Sequence, residues 1–321
     1  MADLVTPMAL RVVATLRVAD HLVGGPRSAD ELAEAAGANR DALDRLLRHL
    51  ANVGVLSRDG DARYSLTPDA EPLRDDHQSG LRTMLDLQGS IGRADLCLVQ
   101  MLHSVRTGEA AFPVQFGSTF WDDLDTDPRR RASFDVQMGR DVAAWAPLIV
   151  EPYDWGSLGH VVDVGGGDGT LLAALLEAHP GLQGTVFDQP MTAEAARKTL
   201  AEAGLSDRAT VVSGSFFDSL PPGAGGYLLS AVLHDWGDDA ARAILRRCAD
   251  AAGTEGTVFV VEKTGADGES PSTQMDLRLL AYFGGRQRGV TELSALAMDA
   301  GLAVAAVHPA GDLSIIELTA S

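Results

Sequence analysis

The sequence predicts an α/β fold in its C-terminal half, in which a mainly parallel sheet carries helices on both faces. Three observations lead to this prediction. Strand-like and helix-like segments alternate from residue 156 onward, a glycine-rich turn joins the first strand to the first helix, and acidic residues end two of the strands. The N-terminal third lacks this alternation and predicts an all-α or winged-helix domain instead.

Three amphipathic helices are predicted first, over residues 6–23, 29–36 and 41–53. Ser28 and Glu31 have the spacing of a capping box at the start of the second helix. After the third helix, Asp59-Gly60 separates two short strand-like runs, which predicts a hairpin. Three helices and a hairpin are typical of a winged helix. This fold serves either to bind DNA or as a structural, dimer-forming unit.

The composition argues against nucleic acid. The formal charge is −19, and such an acidic chain repels phosphate backbones and anionic membranes. Cys97 and Cys248 lie far apart without a CxxC partner, so neither a disulfide framework nor a cysteine-based zinc site is expected. No signal peptide or membrane-spanning run is apparent. We therefore expect a cytoplasmic protein that binds neither nucleic acid nor membrane.

Long helices are predicted between the two halves, over residues 80–105 and 134–150. Their apolar stripes suit a core or a subunit interface, and alternatively they cover an apolar cavity. A break is expected near residues 151–157. The predicted division is a dimerisation domain over 1–105, connecting helices over 106–155 and a catalytic domain over 156–321.

In the C-terminal half, the elements after the first strand and its helix follow in regular order. The strands are predicted at 184–188, 209–213, 226–233 and 257–262, the helices at 192–203, 239–252 and 293–300, and a closing strand pair at 304–308 and 313–318.

The glycine turn Asp163-Val-Gly-Gly-Gly-Asp-Gly-Thr170 predicts a nucleotide-type ligand: a dinucleotide, ATP or S-adenosylmethionine. The Walker pattern is excluded because no Gly-Lys-Ser/Thr follows, and the third glycine of the dinucleotide fingerprint is replaced by Thr170. Asp163 would repel a pyrophosphate and suits a cationic amino-acid ligand. Asp188, 21 positions after Gly167, can accept both ribose hydroxyls, although a capping or turn aspartate is the alternative.

Four motifs occur in an order and at a spacing that resemble class I S-adenosylmethionine-dependent O-methyltransferases. They are 163–170, Phe187-Asp-Gln-Pro190, Gly214-Ser-Phe-Phe-Asp-Ser-Leu-Pro221 and Val232-Leu-His-Asp-Trp236. The branch resembled includes plant caffeic-acid-type enzymes and bacterial polyketide and antibiotic tailoring enzymes. The resemblance implies a Rossmann-like doubly wound sheet, an N-terminal winged-helix domain for homodimerisation, S-adenosylmethionine as cofactor with S-adenosylhomocysteine as its product, and no metal. It also implies an aromatic or polyketide-type acceptor.

The resemblance also assigns cofactor-binding positions. Asp163, Gly165 and Gly167 match residues around the methionine part, Asp188 with the neighbouring Gln189 matches the ribose site, and Ser215, Phe216, Ser230 and Trp236 match residues near the adenine or the strand end beside it. Many relatives have Asp in place of Ser215, and plant relatives have Lys in place of Ser230. Contacts to the adenine are therefore expected to differ in this chain.

His234 matches the general base of the family, and a neutral imidazole can take a proton from a phenol as it is methylated. A capping or core histidine is the alternative. Glu262 and Gln287 match two flanking acids, so the second acid is replaced by an amide that cannot stabilise an imidazolium by charge. The resemblance places the acceptor beside Phe134, Met138, Trp145, Asp276 and Phe283.

Two other functions remain open. A methyltransferase-like enzyme can keep the cofactor and perform another tailoring step, such as hydroxylation or decarboxylation. Within methyl transfer itself, some bacterial members of the family work mainly by holding the acceptor in line with the methyl group. A winged-helix regulator that senses a small molecule belongs to a different class.

Overall fold

The computed structural model describes residues 3–265 and 270–321. The chain divides into two compact units, Met1–Leu96 with Trp121–Gln137, and Cys97–Phe120 with Met138–Ser321. The three-part division drawn from the sequence stays a prediction.

The part of the chain before the large sheet is mostly helical, as predicted. Its helices are α1 (Val5–Thr15), α2 (Val18–Leu22), α3 (Ala29–Ala36), α4 (Arg40–Asn52), α5 (Leu81–Leu85), α6 (Ser90–Ala94), α7 (Met101–Thr107), α8 (Phe112–Phe116), α9 (Phe120–Thr126) and α10 (Pro128–Val150), with 3₁₀ segments at Pro68–Leu73, Asp95–Gln100 and Trp155–Leu158.

The predicted hairpin is present as an antiparallel pair, β1 (Leu56–Arg58) and β2 (Tyr64–Leu66). The capping box at Ser28 also forms, because its hydroxyl accepts from the Glu31 amide while the Glu31 carboxylate accepts from the Ser28 amide. The helix start at Ser28 and the hairpin therefore form where the local sequence patterns predict them.

Two predicted helices are interrupted. The first, over residues 6–23, breaks at Arg17, which adopts a left-handed conformation with φ of 55°. The predicted helix over residues 80–105 is wrong as a single element: α5 ends at an extended Asp86, and a side chain at Gly92 would collide with the Asp86 backbone. The chain folds back tightly there, and the spacing of apolar residues does not predict such a turn.

The second unit is built on a seven-stranded sheet with the order β5-β4-β3-β6-β7-β9-β8. Its strands are β3 (His160–Val164), β4 (Gln183–Asp188), β5 (Ala209–Ser213), β6 (Gly226–Ser230), β7 (Thr257–Glu262), β8 (Leu302–Ala310) and β9 (Leu313–Ala320). Strands β3 to β7 pair in parallel, whereas β9 pairs antiparallel with both β7 and β8. The mainly parallel sheet is confirmed.

The helices of this unit are α11 (Thr170–Ala178), α12 (Pro190–Glu202), α13 (Asp238–Ala252), α14 (Thr273–Phe283) and α15 (Val290–Asp299), with a 3₁₀ turn at Leu233–Asp235. Helix α14 was not predicted from the sequence. Strand β6 ends at Ser230 rather than at residue 233, because Ala231 turns into the left-handed region with φ of 55°.

Both faces of the sheet are buried. Along β7, Val258 and Val260 belong to one apolar cluster while Phe259 and Val261 belong to another, as expected for side chains that alternate across a strand. Each fully buried aliphatic or aromatic side chain of this kind contributes about 1.5–3 kcal/mol. The two clusters make the sheet a rigid platform for the turns at its edge.

The position of the site follows from the strand order. After β3 the chain adds β4 and β5 on one side, and then returns to add β6 and β7 on the other. The turns after β3 and β6 therefore lie next to each other at the topological switch point, where open parallel sheets bind their ligands beyond the carboxyl ends of the strands.

Candidate active site

The turn after β3 is a left-handed glycine turn. Gly165, Gly167 and Gly169 have φ of 73°, 61° and 80°, values that side chains with a Cβ adopt only at a cost. At its end the Asp168 carboxylate accepts from the Thr170 amide at 3.1 Å, at the start of α11. The turn thus offers backbone rather than side chains to a ligand.

Beneath this turn, Asp163 is 1% exposed, and among residues 3–265 and 270–321 its Oδ2 has no hydrogen-bond partner. Burial, together with the charges of Asp188 and Asp168, raises the pKa of Asp163 to about 7. A buried carboxylate without a partner is costly and is relieved by a cationic group. The site therefore fits the charged amino-acid end of S-adenosylmethionine.

Asp188 closes the glycine turn from β4. Its Oδ2 accepts from the Gly167 amide at 2.9 Å, and its Oδ1 accepts from the Gln189 amide at 2.6 Å. A carboxylate oxygen can accept more than one hydrogen bond, so these two backbone contacts are compatible with hydrogen bonds from ribose hydroxyls. The side chain of Gln189 is exposed at the start of α12.

An aromatic group lies beside the turn. The Trp236 ring meets Phe216 and Phe217 edge-on, with centroids 5.7 and 4.9 Å apart. Phe216 also reaches Gly165, since a Cβ on that glycine would lie 3.5 Å from its ring. The Ser215 hydroxyl accepts from the Phe217 amide at 3.3 Å. The structure thus brings Ser215, Phe216 and Trp236 together near the glycine turn, while Ser230 is the last residue of β6.

The turn after β6 carries His234. Its Nδ1 lies 2.6 Å from Glu262 Oε2 at the end of β7, and its backbone amide donates to Glu262 Oε1 at 3.3 Å. On the other side of the ring, Nε2 lies 3.5 Å from Asp235 Oδ1. A proton on Nδ1 shared with Glu262 leaves the Nε2 lone pair as the remaining proton-accepting position of the neutral ring.

Charges around His234 set its protonation. Burial lowers the pKa of His234, but the negative charges of Glu262 and Asp235 outweigh burial and raise that pKa to about 9. Burial also raises the pKa of Asp235 to about 7, against the opposing effect of His234. His234 is therefore largely protonated near neutral pH in the ligand-free protein, and only its neutral form can accept a proton.

Gln287 lies apart from this pair. The side-chain oxygen of Gln287, Oε1, accepts from the Ser270 hydroxyl and from the Ser272 backbone amide. The backbone amide of Gln287 donates to Asp276 Oδ1 at 2.8 Å. Within residues 3–265 and 270–321, no hydrogen bond joins Gln287 to His234. The structure therefore brings Glu262, but not Gln287, to the imidazole.

The predicted acceptor residues have varied surroundings. Trp145 packs on the core beneath Lys263, whose Nζ lies 5.2 Å from the ring centroid. Phe283 meets Phe120 edge-on at 4.9 Å, and Met138 is half-buried on α10. Asp276 is occupied by the Gln287 amide, as described above. Phe134 lies in the first unit, edge-on to Trp121 at 5.7 Å, and its assignment to the acceptor stays a prediction.

Sequence reasoning missed the residues that hold the His234 turn. Arg288, 4% exposed, donates to the carbonyls of Leu233 and Trp236 at 2.9 and 2.7 Å. Gly285 packs so closely that a side chain there would collide with the His234 carbonyl. The available signal was a glycine- and arginine-rich loop, Gly284–Gly289, between the predicted strand 257–262 and the predicted helix 293–300.

In the described part of the chain, no group of three or more His, Cys, Asp or Glu side chains is arranged to hold a metal ion. No helix in residues 3–265 or 270–321 has the length and apolarity to cross a membrane.

A seven-stranded sheet with β9 inserted antiparallel, a glycine turn after β3 and acids ending β3 and β4 define the class I methyltransferase fold. The chain belongs to the O-methyltransferase family: residues 98–303 match the O-methyltransferase domain and residues 1–74 match the O-methyltransferase dimerisation domain. The resemblance drawn from the sequence is confirmed, as are the fold class and the enzyme class.

Among similar proteins, 2,7-dihydroxy-5-methyl-1-naphthoate 7-O-methyltransferase of Streptomyces carzinostaticus is 57% identical, with 100% of this chain and 96% of the relative covered. Aclacinomycin 10-hydroxylase RdmB of Streptomyces purpurascens is 42% identical, with 100% and 89% covered. The crystal structure of NcsB1, an O-methyltransferase of neocarzinostatin biosynthesis in complex with S-adenosylmethionine and 2-hydroxy-5-methyl naphthoic acid, superposes with a TM-score of 0.95 at 56% identity, covering 100% and 97%.

Proposed function

We propose that this enzyme transfers a methyl group from S-adenosylmethionine to a hydroxyl of an aromatic, polyketide-type acceptor in the chemical class of the hydroxynaphthoic acids. The observation that carries the proposal is the His234–Glu262 pair, with Nδ1 and Oε2 2.6 Å apart, beside the glycine turn at the switch point. The naphthoate O-methyltransferase that is 57% identical supports the acceptor class.

The cofactor site is assigned as follows. Asp163 accepts from the cationic amino-acid end, Gly165 and Gly167 let the backbone approach it, and Asp188 with Gln189 binds the ribose. Ser215, Phe216, Ser230 and Trp236 surround the adenine or border it. Bound S-adenosylmethionine supplies an electrophilic methyl group on its sulfonium.

The neutral form of His234, whose share grows as the pH rises toward about 9, takes the acceptor proton. As the acceptor oxygen forms its bond to the methyl carbon and the carbon–sulfur bond breaks, Nε2 receives the hydroxyl proton. Glu262 stabilises the resulting imidazolium through Nδ1 and holds the ring in place. Gln287 acts away from the imidazole, where it orders Ser270 and Ser272 ahead of α14. Met138, Trp145, Asp276 and Phe283 are proposed to contact or border the acceptor.

The assembly and location belong to the same proposal. The match of residues 1–74 to a dimerisation domain supports a homodimer. The sequence has two cysteines, Cys97 and Cys248, far apart along the chain, in keeping with a reducing compartment, and we propose that the enzyme acts in the cytoplasm.

The test is mass spectrometry of a panel of hydroxynaphthoic and other phenolic acids incubated with the enzyme and methyl-labelled S-adenosylmethionine. We expect one labelled methyl per product molecule and loss of turnover in His234→Ala. A panel without any labelled product, from protein that binds S-adenosylhomocysteine normally, would contradict the proposal.

A second candidate is hydroxylation, which the 42% identical aclacinomycin 10-hydroxylase favours. The same experiment separates the two candidates, because hydroxylation adds an oxygen atom and no label. We place methyl transfer first because the family match and the more similar relative both point to it.

A further inference from the structure

Arg288 is buried beside the turn that carries His234. Its side chain is 2% exposed, yet it makes hydrogen bonds to the Leu233 carbonyl at 2.9 Å and to the Trp236 carbonyl at 2.7 Å. Nε and Nη2 also donate to Asp238 Oδ1 at 3.1 and 2.7 Å, at the first residue of α13. One guanidinium therefore bridges both ends of the turn and the helix that follows.

The backbone of the same loop holds the middle of the turn. The Arg286 amide donates to the His234 carbonyl at 2.9 Å, and Gly285 leaves no space for a side chain against that carbonyl. The turn comprises only Leu233–Asp235 and follows Ala231, which is in the left-handed region. Such a short turn has few internal hydrogen bonds, so its shape depends on what binds its carbonyls.

We propose that Arg288 is a positioning residue, which holds the carbonyls on either side of His234 so that the imidazole stays on Glu262 while the Trp236 backbone stays at the cofactor side. This inference rests on the proposed function only in taking His234 as the base. Within residues 3–265 and 270–321, the Arg288 guanidinium donates to backbone carbonyls and to Asp238, and no hydrogen bond joins it to the His234 ring.

The chemistry requires arginine at this position. A planar guanidinium presents several donors at fixed angles and can reach two carbonyls and a carboxylate together, whereas an ammonium concentrates its donors at one point. The positive charge of Arg288 also lowers the pKa of His234, against the larger raising effects of Glu262 and Asp235. Lysine at position 288 would keep the positive charge but lose the planar set of N–H donors that reaches all three acceptors.

The test compares Arg288→Lys with Arg286→Lys. Arg286 lies in the same loop and supports the turn through its backbone amide, which lysine retains; its side chain is half-exposed and pairs with Glu292, so Arg286→Lys is a matched control. Three quantities are measured for each full-length variant: kcat and KM for the acceptor, the affinity for S-adenosylhomocysteine, and the titration midpoint of His234 by NMR. His234→Gln identifies the His234 resonance among the eight histidines.

For Arg288→Lys we expect kcat to fall about tenfold to a hundredfold while the KM for the acceptor changes little, because a displaced base loses its alignment. The His234 midpoint should fall toward the ordinary histidine value as the ring leaves Glu262, and binding of S-adenosylhomocysteine should weaken. Arg286→Lys should match the parent in all three. An Arg288→Lys variant that melts earlier but keeps the parental midpoint and kcat would overturn the inference, since Arg288 would then be merely structural.

If Arg288→Lys does not fold, Asp238→Asn decides the question, because it removes the carboxylate that anchors the guanidinium and leaves Arg288 in place. A lowered His234 midpoint supports the inference, and an unchanged one overturns it. If the parent binds S-adenosylhomocysteine but methylates nothing, the proposed function fails while the midpoint and the affinity still test Arg288.

Discussion

Two turns lie side by side at the carboxyl edge of the sheet, and they are built in opposite ways. The turn after β3 is made of backbone: it has three left-handed glycines, with the buried Asp163 just before it and Asp188 closing it from β4. The turn after β6 contains no glycine in the 3₁₀ segment Leu233–Asp235, and it is held from outside by Glu262 and by the loop Gly284–Gly289.

The difference matches what each turn has to present. A cofactor is bound along its length by backbone and a few polar groups, which requires close approach and therefore glycine. A base must present one nitrogen in one direction, which requires a side chain with every degree of freedom removed. We therefore expect substitutions in the first turn to change affinity and substitutions around the second to change turnover and pH dependence.

The largest expected effect is that of Asp163→Asn. Loss of the buried charge should weaken binding of S-adenosylhomocysteine about a hundredfold, as expected when a charged hydrogen-bond partner is removed. The raised pKa, about 7 against the ordinary 3.8, means that the folded protein binds more protons than the unfolded chain between those values. Stability therefore falls as pH rises through that window, and the variant should be more stable than the parent above it, on the order of 2–4 kcal/mol.

Calorimetry with S-adenosylhomocysteine and thermal unfolding of the ligand-free protein as a function of pH would measure both effects. The exposed Asp218, in the same unit, provides Asp218→Asn as the control. Parental affinity in Asp163→Asn would show that the first turn does not depend on its buried carboxylate.

Gly285→Ala should break the second turn from outside. The new methyl group would collide with the His234 carbonyl, which is backbone and has little room to move. We expect a loss of about 1–3 kcal/mol in unfolding free energy, and a fall in kcat. Gly237→Ala is the control, because the nearest atom to a Cβ there is 3.8 Å away. Equal behaviour of the two variants in urea unfolding and in turnover would refute the close packing inferred here.

Glu262→Gln should shift the pH dependence of turnover. Removal of this negative charge lowers the pKa of His234, by about one to two pH units, so the acid limb of the kcat profile moves to lower pH. The raised pKa, from 6.5 to about 9, stabilises the folded parent below the lower value, and this stabilisation is lost as pH rises through the higher one. The variant should therefore be less stable than the parent at mildly acidic pH and equal to it above the higher value.

Asp235→Asn serves as the comparison for Glu262→Gln. It removes a carboxylate 3.5 Å from Nε2 and keeps the Nδ1 contact with Glu262. We expect a smaller shift of the profile in the same direction. A larger shift for Asp235→Asn would make Asp235, not Glu262, the main partner of the base.

The contrast between the turns also explains what the sequence could predict. The glycine turn, Asp188 and the capping box at Ser28 depend on residues that are close in sequence or at strand ends. Their positions can therefore be predicted from the sequence pattern. The placement of Gln287 and the contacts of Arg288 come from a loop about fifty residues after His234. No periodicity relates those positions. The break in the predicted helix over residues 80–105 likewise depends on the packing of Gly92 on Asp86.

The smallest expected effect comes from exchanging alanine and glycine at the two left-handed positions, one in each turn. Ala231 and Gly165 both have left-handed backbone, with φ of 55° and 73°. Ala231→Gly removes a strain of about 1–2 kcal/mol but adds freedom to the unfolded chain worth about 0.4–1 kcal/mol, so a net gain of about 0–1.6 kcal/mol is expected. Gly165→Ala adds the same strain and brings a methyl group 3.0 Å from Val232 Cγ2, so it should destabilise. Urea unfolding of both variants measures the difference. A loss of stability in Ala231→Gly would mean that the Ala231 methyl group contributes packing that outweighs its strain.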